Sequence, residues 1–161
     1  MDRNTRSITY YLLQPYYENF GKRIIKSPKL YFVDVGLACY LLGIKSQEHL
    51  ALHPLRGMLF ENMVVIDILK NQTNKNKDPN IYFYRDNNQN EADIIFEQDG
   101  NLIPIEIKSS ETFNKSFLKG IQYFMNITEK AKNGYLIYAG NPIGKTKDIN
   151  ILNFKDMHKI T

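Results

Sequence analysis

Asp93, Glu106 and Lys108 are two carboxylates and an amine, the side chains from which a phosphodiester-cleaving site can be built if the chain brings them together. A two-residue turn offers the means. Asp99-Gly100 lies between two apolar-rich runs, and this dipeptide suits a type I′ hairpin because both central residues need positive φ. Such a loop fixes the register. Gln98 faces Asn101 and Glu97 faces Leu102; carried further, Asp93 falls opposite Glu106 and Glu91 opposite Lys108. Side chains alternate along a strand, so Asp93, Glu106 and Lys108 share a face with Ile95, Leu102 and Pro104. Ile94, Phe96, Ile103, Ile105 and Ile107 bury on the other face. Directly opposed carboxylates repel, and they are relieved by sharing a proton or binding a cation. Oxygen ligands suit Mg²⁺ or Mn²⁺. Lys108 beside them can orient an attacking water or stabilise charge on a phosphate. Two readings compete with this one: a solvent-facing hairpin with scattered charges, and a bulge at Pro104 that shifts the register by one.

Two helices must stand beside this hairpin. Gly57–Lys70 has helical periodicity, with Glu61 among Val64, Val65 and Ile68 on its apolar side. A carboxylate there is costly unless it is paired or metal-bound, although the helix N-terminus also favours an acid. Phe113–Asn126 is amphipathic, and Gln122 falls among Leu118, Ile121 and Met125. The remaining pattern is strands at Ile8–Gln14, Lys29–Val33, Ile81–Arg85, Ala92–Glu97, Leu102–Lys108, Asn133–Ala139 and Ile149–Phe154. A short helix, Val35–Leu42, is capped by Asp34 and stopped by Gly43. Gln47–Arg56 reads as an irregular connection and Asn71–Asn80 as a polar loop. The order helix, three strands, helix, strand is a mixed α/β layout. The opening segment reads as incomplete, as if cut from a longer protein, because its first strand has nothing before it to pair.

The chain has 161 residues, 43% of them hydrophobic and 24% charged, which is the composition of a folded domain. Cys39 is a lone cysteine in an apolar run, so neither a disulfide framework nor a cysteine zinc site is available. With no signal peptide and no apolar run of transmembrane length, the sequence reads as a soluble cytoplasmic protein. The net charge of +4 is unevenly spread. Residues 1–30 hold Arg3, Arg6, Lys22, Arg23, Lys26 and Lys29 against Asp2 and Glu18, while the remainder balances. A local basic patch suits a polyanion, although it is also what a solvated face looks like.

The run Glu91-Ala-Asp93-Ile-Ile, a turn, then Ile105-Glu106-Ile-Lys108-Ser-Ser resembles the signature of the PD-(D/E)XK nuclease superfamily. More narrowly, the chain resembles the C-terminal DUF4143 domain of prokaryotic AAA-type ATPases. The matching stretches are Pro28-Lys-Leu-Tyr-Phe-Val-Asp34-Val-Gly-Leu37, Gly57 with Phe60-Glu61-Asn62, Tyr82-Phe-Tyr84-Arg85-Asp86, Glu91 with Asp93, and Pro104 to Ser110. The resemblance implies an αβββαβ nuclease core over residues 51–161, and a winged-helix remnant with linker over 1–50. It implies Glu61, Asp93, Glu106 and Lys108 as catalytic residues, and Asp93, Glu106 and Ile107 as ligands of Mg²⁺ or Mn²⁺. Glu91 and Gln122 become supporting residues. The parent ATPase module is absent from this chain.

Three functions follow as expectations. The first is metal-dependent phosphodiester hydrolysis on DNA, with Arg85, Lys22, Arg23 and Lys26 holding the nucleic acid. The second is a catalytically inactive module that docks DNA or protein for the parent ATPase. The third, nucleotide hydrolysis, is disfavoured. Gly140-Asn-Pro-Ile-Gly144-Lys145-Thr146 has three residues between its glycines where a phosphate-binding loop needs four, and a strand rather than a helix is expected after it, so no ATP site is expected here.

Overall fold

The computed structural model describes residues 9–17 and 27–160. Its centre is a six-stranded mixed sheet in the order β3-β4-β5-β6-β8-β7. These strands are β3 (Ile81–Arg85), β4 (Glu91–Gln98), β5 (Asn101–Lys108), β6 (Gly134–Tyr138), β7 (Gly144–Thr146) and β8 (Ile149–Asn153). β4 and β5 form the expected hairpin. Asp99 has φ of 50° and Gly100 of 77°, as a type I′ turn demands. Gln98 pairs with Asn101, and the ladder runs without a bulge to Ile94 opposite Ile105. Pro104 sits opposite Ile95. In that register its nitrogen faces away from β4, where β6 is only beginning, so the missing N–H costs no β4 bond.

The long helix α3 (Arg56–Asn74) covers one face of the sheet. Val64, Val65, Ile68 and Leu69 pack there on Ile94, Phe96, Ile103, Ile105 and Ile107. The helix runs past the expected end at Lys70, with Gln72 buried, and it stops where Asn76 takes a left-handed φ of 57°. The other face carries α4 (Lys119–Ile127), whose Ile121 and Phe124 are fully buried among Ile95, Leu102 and Leu136. Its expected first turns are instead a 3₁₀ turn, Lys115–Leu118, begun by Asn114, whose side chain accepts from the Ser116 N–H.

The N-terminal strand finds a partner further along the chain. β1 (Tyr10–Leu13) pairs antiparallel with β2 (Lys29–Phe32), and Tyr11, Leu13 and Tyr31 join the core under α3. Helix α1 (Val35–Leu41) is capped by Asp34, which accepts from the Leu37 N–H. A further short helix, α2 (Gln47–Leu52), occupies part of the expected irregular connection, with Ser46 as its cap. Cys39 is half-buried. The Gly140–Thr146 run leads into the β7–β8 hairpin and not into a helix. Among the described residues no helix is long and apolar enough to cross a membrane.

Candidate functional site

The β4–β5 ladder ends at Ile94 and Ile105, although both strands continue beyond it. In an antiparallel pair of this register the Ile107 N–H would next seek a β4 carbonyl. It donates instead to the Asp93 Oδ2 at 2.8 Å. The strands therefore part at the expected acids, and the Asp93 carboxylate fills the opening.

Asp93, Glu106 and Lys108 meet there. The Lys108 ammonium lies 2.5 Å from Glu106 Oε1 and 3.8 Å from Asp93 Oδ2. Burial first, and then the neighbouring Glu106 and Glu61 carboxylates, push the Asp93 carboxyl up to about 8. Burial also raises Glu106, although Lys108 works against it. Lys108 itself ends raised: burial lowers it, and Asp93 and Glu106 outweigh that. Glu106 Oε2 is buried with no hydrogen-bond partner among the described residues. Gly120 of α4 lies against it. A Cβ at that position would fall 2.1 Å from the Glu91 carbonyl oxygen and 2.8 Å from Glu106 Oε2.

The sequence reading missed Lys29. Its ammonium lies 2.5 Å from Glu91 Oε1, 3.2 Å from Glu61 Oε1 and 3.9 Å from Asp93 Oδ1, and 5.4 Å over the Phe83 ring. Burial lowers its affinity for a proton, but the three carboxylates outweigh burial and leave it raised. Tyr31, two residues on, donates to the same Glu61 oxygen at 2.5 Å. Asn62 explains how β2 is held at this distance. Its Oδ1 accepts from the Phe32 N–H at 2.8 Å and its Nδ2 donates to the Phe32 carbonyl at 2.7 Å. A buried asparagine that completes a strand edge in this way has the signal of a polar residue next to Glu61 on a largely apolar helix, and nothing in spacing alone pairs it with Phe32.

Glu61 and Glu91 join the cluster, each through Lys29, and Glu91 is not paired with Lys108 in the ladder. Glu91 also binds Arg85, at 2.6 and 2.8 Å, so Arg85 reaches the cluster as its partner. The following residue, Asp86, holds the β3–β4 turn by accepting from the N–H groups of Asn88 and Asn90, and it accepts from the Tyr123 hydroxyl at 2.6 Å. Gln122 is not brought to the site. The packed face of α4 runs through Leu118, Ile121 and Phe124, and Gln122 is exposed. Ile107 contributes a backbone N–H, directed at Asp93. Lys22, Arg23 and Lys26 lie outside the described residues.

A cavity of about 630 Å³ opens on the Lys29 side of the cluster. Lys29, Glu61, Arg85 and Asp93 line its charged end, and residues such as Leu41 and Leu59 its apolar end.

Among the described residues no three Asp, Glu, His or Cys side chains converge as a ready metal cage. Asp93 and Glu106 offer a two-carboxylate set, the number that commonly holds Mg²⁺ together with water and phosphate. The unpartnered Glu106 oxygen fits such a cation.

The family described as "Domain of unknown function (DUF4143)" matches residues 56–157. A second domain of unknown function, DUF8612, matches residues 5–48. Two proteins carrying only the description "uncharacterized", one from Mycobacterium tuberculosis and one from Mycobacterium bovis, are each 33% identical over 113 residues. That stretch is 70% of this chain and 24% of each relative, so the chain spans about a quarter of the length of the curated relatives it matches.

Proposed function

We propose, from the premise that this chain belongs to the DUF4143 family, that it is a PD-(D/E)XK-type nuclease-like domain that hydrolyses phosphodiester bonds in DNA with Mg²⁺ or Mn²⁺. On this reading it is the C-terminal part of an AAA-type ATPase, and residues 1–50 are the remnant of a winged-helix segment. The observation that carries the reading is the meeting of Asp93, Glu106 and Lys108 where β4 and β5 part.

Asp93 and Glu106 would hold the cation, which supplies charge neutralisation on the phosphate and a more acidic water. Each residue of the chain then has a task its position supports. The Ile107 N–H, bonded to Oδ2, fixes the rotamer of Asp93 between Lys108 and Lys29. Lys108 sits where an ammonium can orient a water or meet negative charge as it develops on a phosphate oxygen. Gly120 lets α4 approach closely enough to exclude solvent from Glu106 Oε2. Arg85, more than a third exposed, has N–H groups to offer a strand of nucleic acid beyond its bond to Glu91.

A second reading is favoured by Lys29. An ammonium already paired with Glu61, Glu91 and Asp93 is what an inactive module, keeping the fold to dock DNA or protein, would use to neutralise inherited acids. One experiment separates the two. The 161-residue chain is incubated with supercoiled and linear DNA in Mn²⁺, beside Glu106→Ala and Lys108→Ala chains of confirmed fold. Cleavage by wild type that both substitutions abolish supports the nuclease. DNA retention without cleavage supports the docking module, and cleavage that survives both substitutions excludes this site.

A further inference from the structure

We propose that Lys29 is a built-in cation filling one half of the acidic cluster, so that the site accepts one divalent ion per chain and not two. The inference rests on the metal-dependent reading above and adds to it the number of ions and the residue that sets that number.

The cluster has two sides. Asp93 Oδ2 and Glu106 face Lys108, whereas Asp93 Oδ1, Glu61 and Glu91 face Lys29. Two-metal phosphodiesterase sites hold their ions about 3.5–4 Å apart, bridged by a shared carboxylate. Here Asp93 is the carboxylate between the two sides, and the Lys29 ammonium stands 3.9 Å from its outer oxygen. A second ion bound by Glu61 and Glu91 would have to displace that ammonium from contacts of 3.2 and 2.5 Å.

Lys29 is not placed there by a flexible stem alone. Its strand is locked to α3 by the Asn62 side chain, whose Oδ1 accepts from the Phe32 N–H and whose Nδ2 donates to the Phe32 carbonyl. The ammonium lies over the Phe83 ring, and the side chain is about four-fifths buried, at 21% exposure. Tyr31 shares the Glu61 oxygen with it and so fixes that carboxylate toward Lys29. An ammonium supplies charge without an open coordination position. The Glu106 side keeps the oxygen that has no hydrogen-bond partner among the described residues, and that is the side left for the ion.

The test is calorimetric titration of Mn²⁺ into the full chain, with Lys29→Gln and Lys29→Arg beside it. One ion is expected for wild type and for Lys29→Arg, and two for Lys29→Gln. Two ions in wild type overturn the inference and leave the metal-dependent reading standing. One ion in a folded Lys29→Gln chain also overturns it. No binding to any of the three chains removes both ideas together. If Lys29→Gln does not fold, amine acylation of wild type read by mass spectrometry decides. Lys29 must stay as protected at saturating Mg²⁺ as without it, and labelling of Lys29 that rises with Mg²⁺ refutes the proposal.

Discussion

The Asp93 carboxylate takes the hydrogen bond that a β4 carbonyl would otherwise take from Ile107, at 2.8 Å. It does so in a place where burial and the nearby Glu106 and Glu61 disfavour its ionised form. Its carboxyl titrates near 8 in the folded chain against an ordinary value of 3.8. Between those values the folded chain binds more protons than the unfolded one, so stability falls as pH rises through that window. Glu91 and Asp86, both held below their ordinary values, act only at lower pH. The urea midpoint without divalent cations is therefore expected to be higher at pH 5 than at pH 8, and Asp93→Asn should flatten the difference. A midpoint that climbs from pH 5 to pH 8 would contradict the placement of Asp93. Cation affinity should move the other way and rise with pH, because binding releases the proton.

Gly120→Ala is expected to destabilise the chain by about 1–3 kcal/mol, the usual range for overpacking. The new methyl group would enter the Glu91 carbonyl, a backbone atom that cannot swing aside. Equilibrium denaturation measures the cost. A change below a few tenths of a kcal/mol would show that α4 does not approach β4 this closely.

Asn62→Ala removes both bonds to Phe32 and should cost about 1–3 kcal/mol. Its effect should not stop at stability. With β2 loosened, Lys29 should become more reactive toward amine reagents than in wild type. Equal reactivity in a folded variant would mean that Lys29 is positioned by the acids alone.

On the nuclease reading, Glu106→Gln and Lys108→Met should each lower single-turnover DNA cleavage by about 10²-fold or more. Both substitutions keep roughly the volume of the side chain they replace, so circular dichroism should show them folded. Loss of less than tenfold in both would assign catalysis elsewhere.

The hairpin was legible because its determinants are local: Asp99-Gly100 sets the register, and alternation sets the face. That register puts Asp93, Glu106 and Lys108 on one face, but the pairing stops at Ile94 and Ile105, short of the expected Asp93–Glu106 and Glu91–Lys108 pairs, and the Asp93 side chain closes the gap to Ile107. Lys29 was not legible. Its reach into the cluster depends on β2 being anchored to α3 by Asn62, a contact across 30 residues that no periodicity announces. Gln122 shows the limit of periodicity at an edge: the apolar face of α4 packs through Leu118, Ile121 and Phe124 as its spacing indicates, and Gln122, one turn after Leu118, falls on the solvent border of that face. Gly120 carries a structural demand that reads, in sequence, only as a weak helix residue.

The stretch after β1 has a role at the opposite end of the sheet from β7. Tyr16 donates its N–H to the Phe83 carbonyl, and Phe83 donates to Gln14, with Pro15 bridging alongside. These few residues act as a selvedge on β3. The far border, β7, is three exposed residues long and offers little to a foreign strand. Without Gln14 and Tyr16 the Phe83 N–H and carbonyl would lose their partners, and that border of β3 would stand open to a foreign strand.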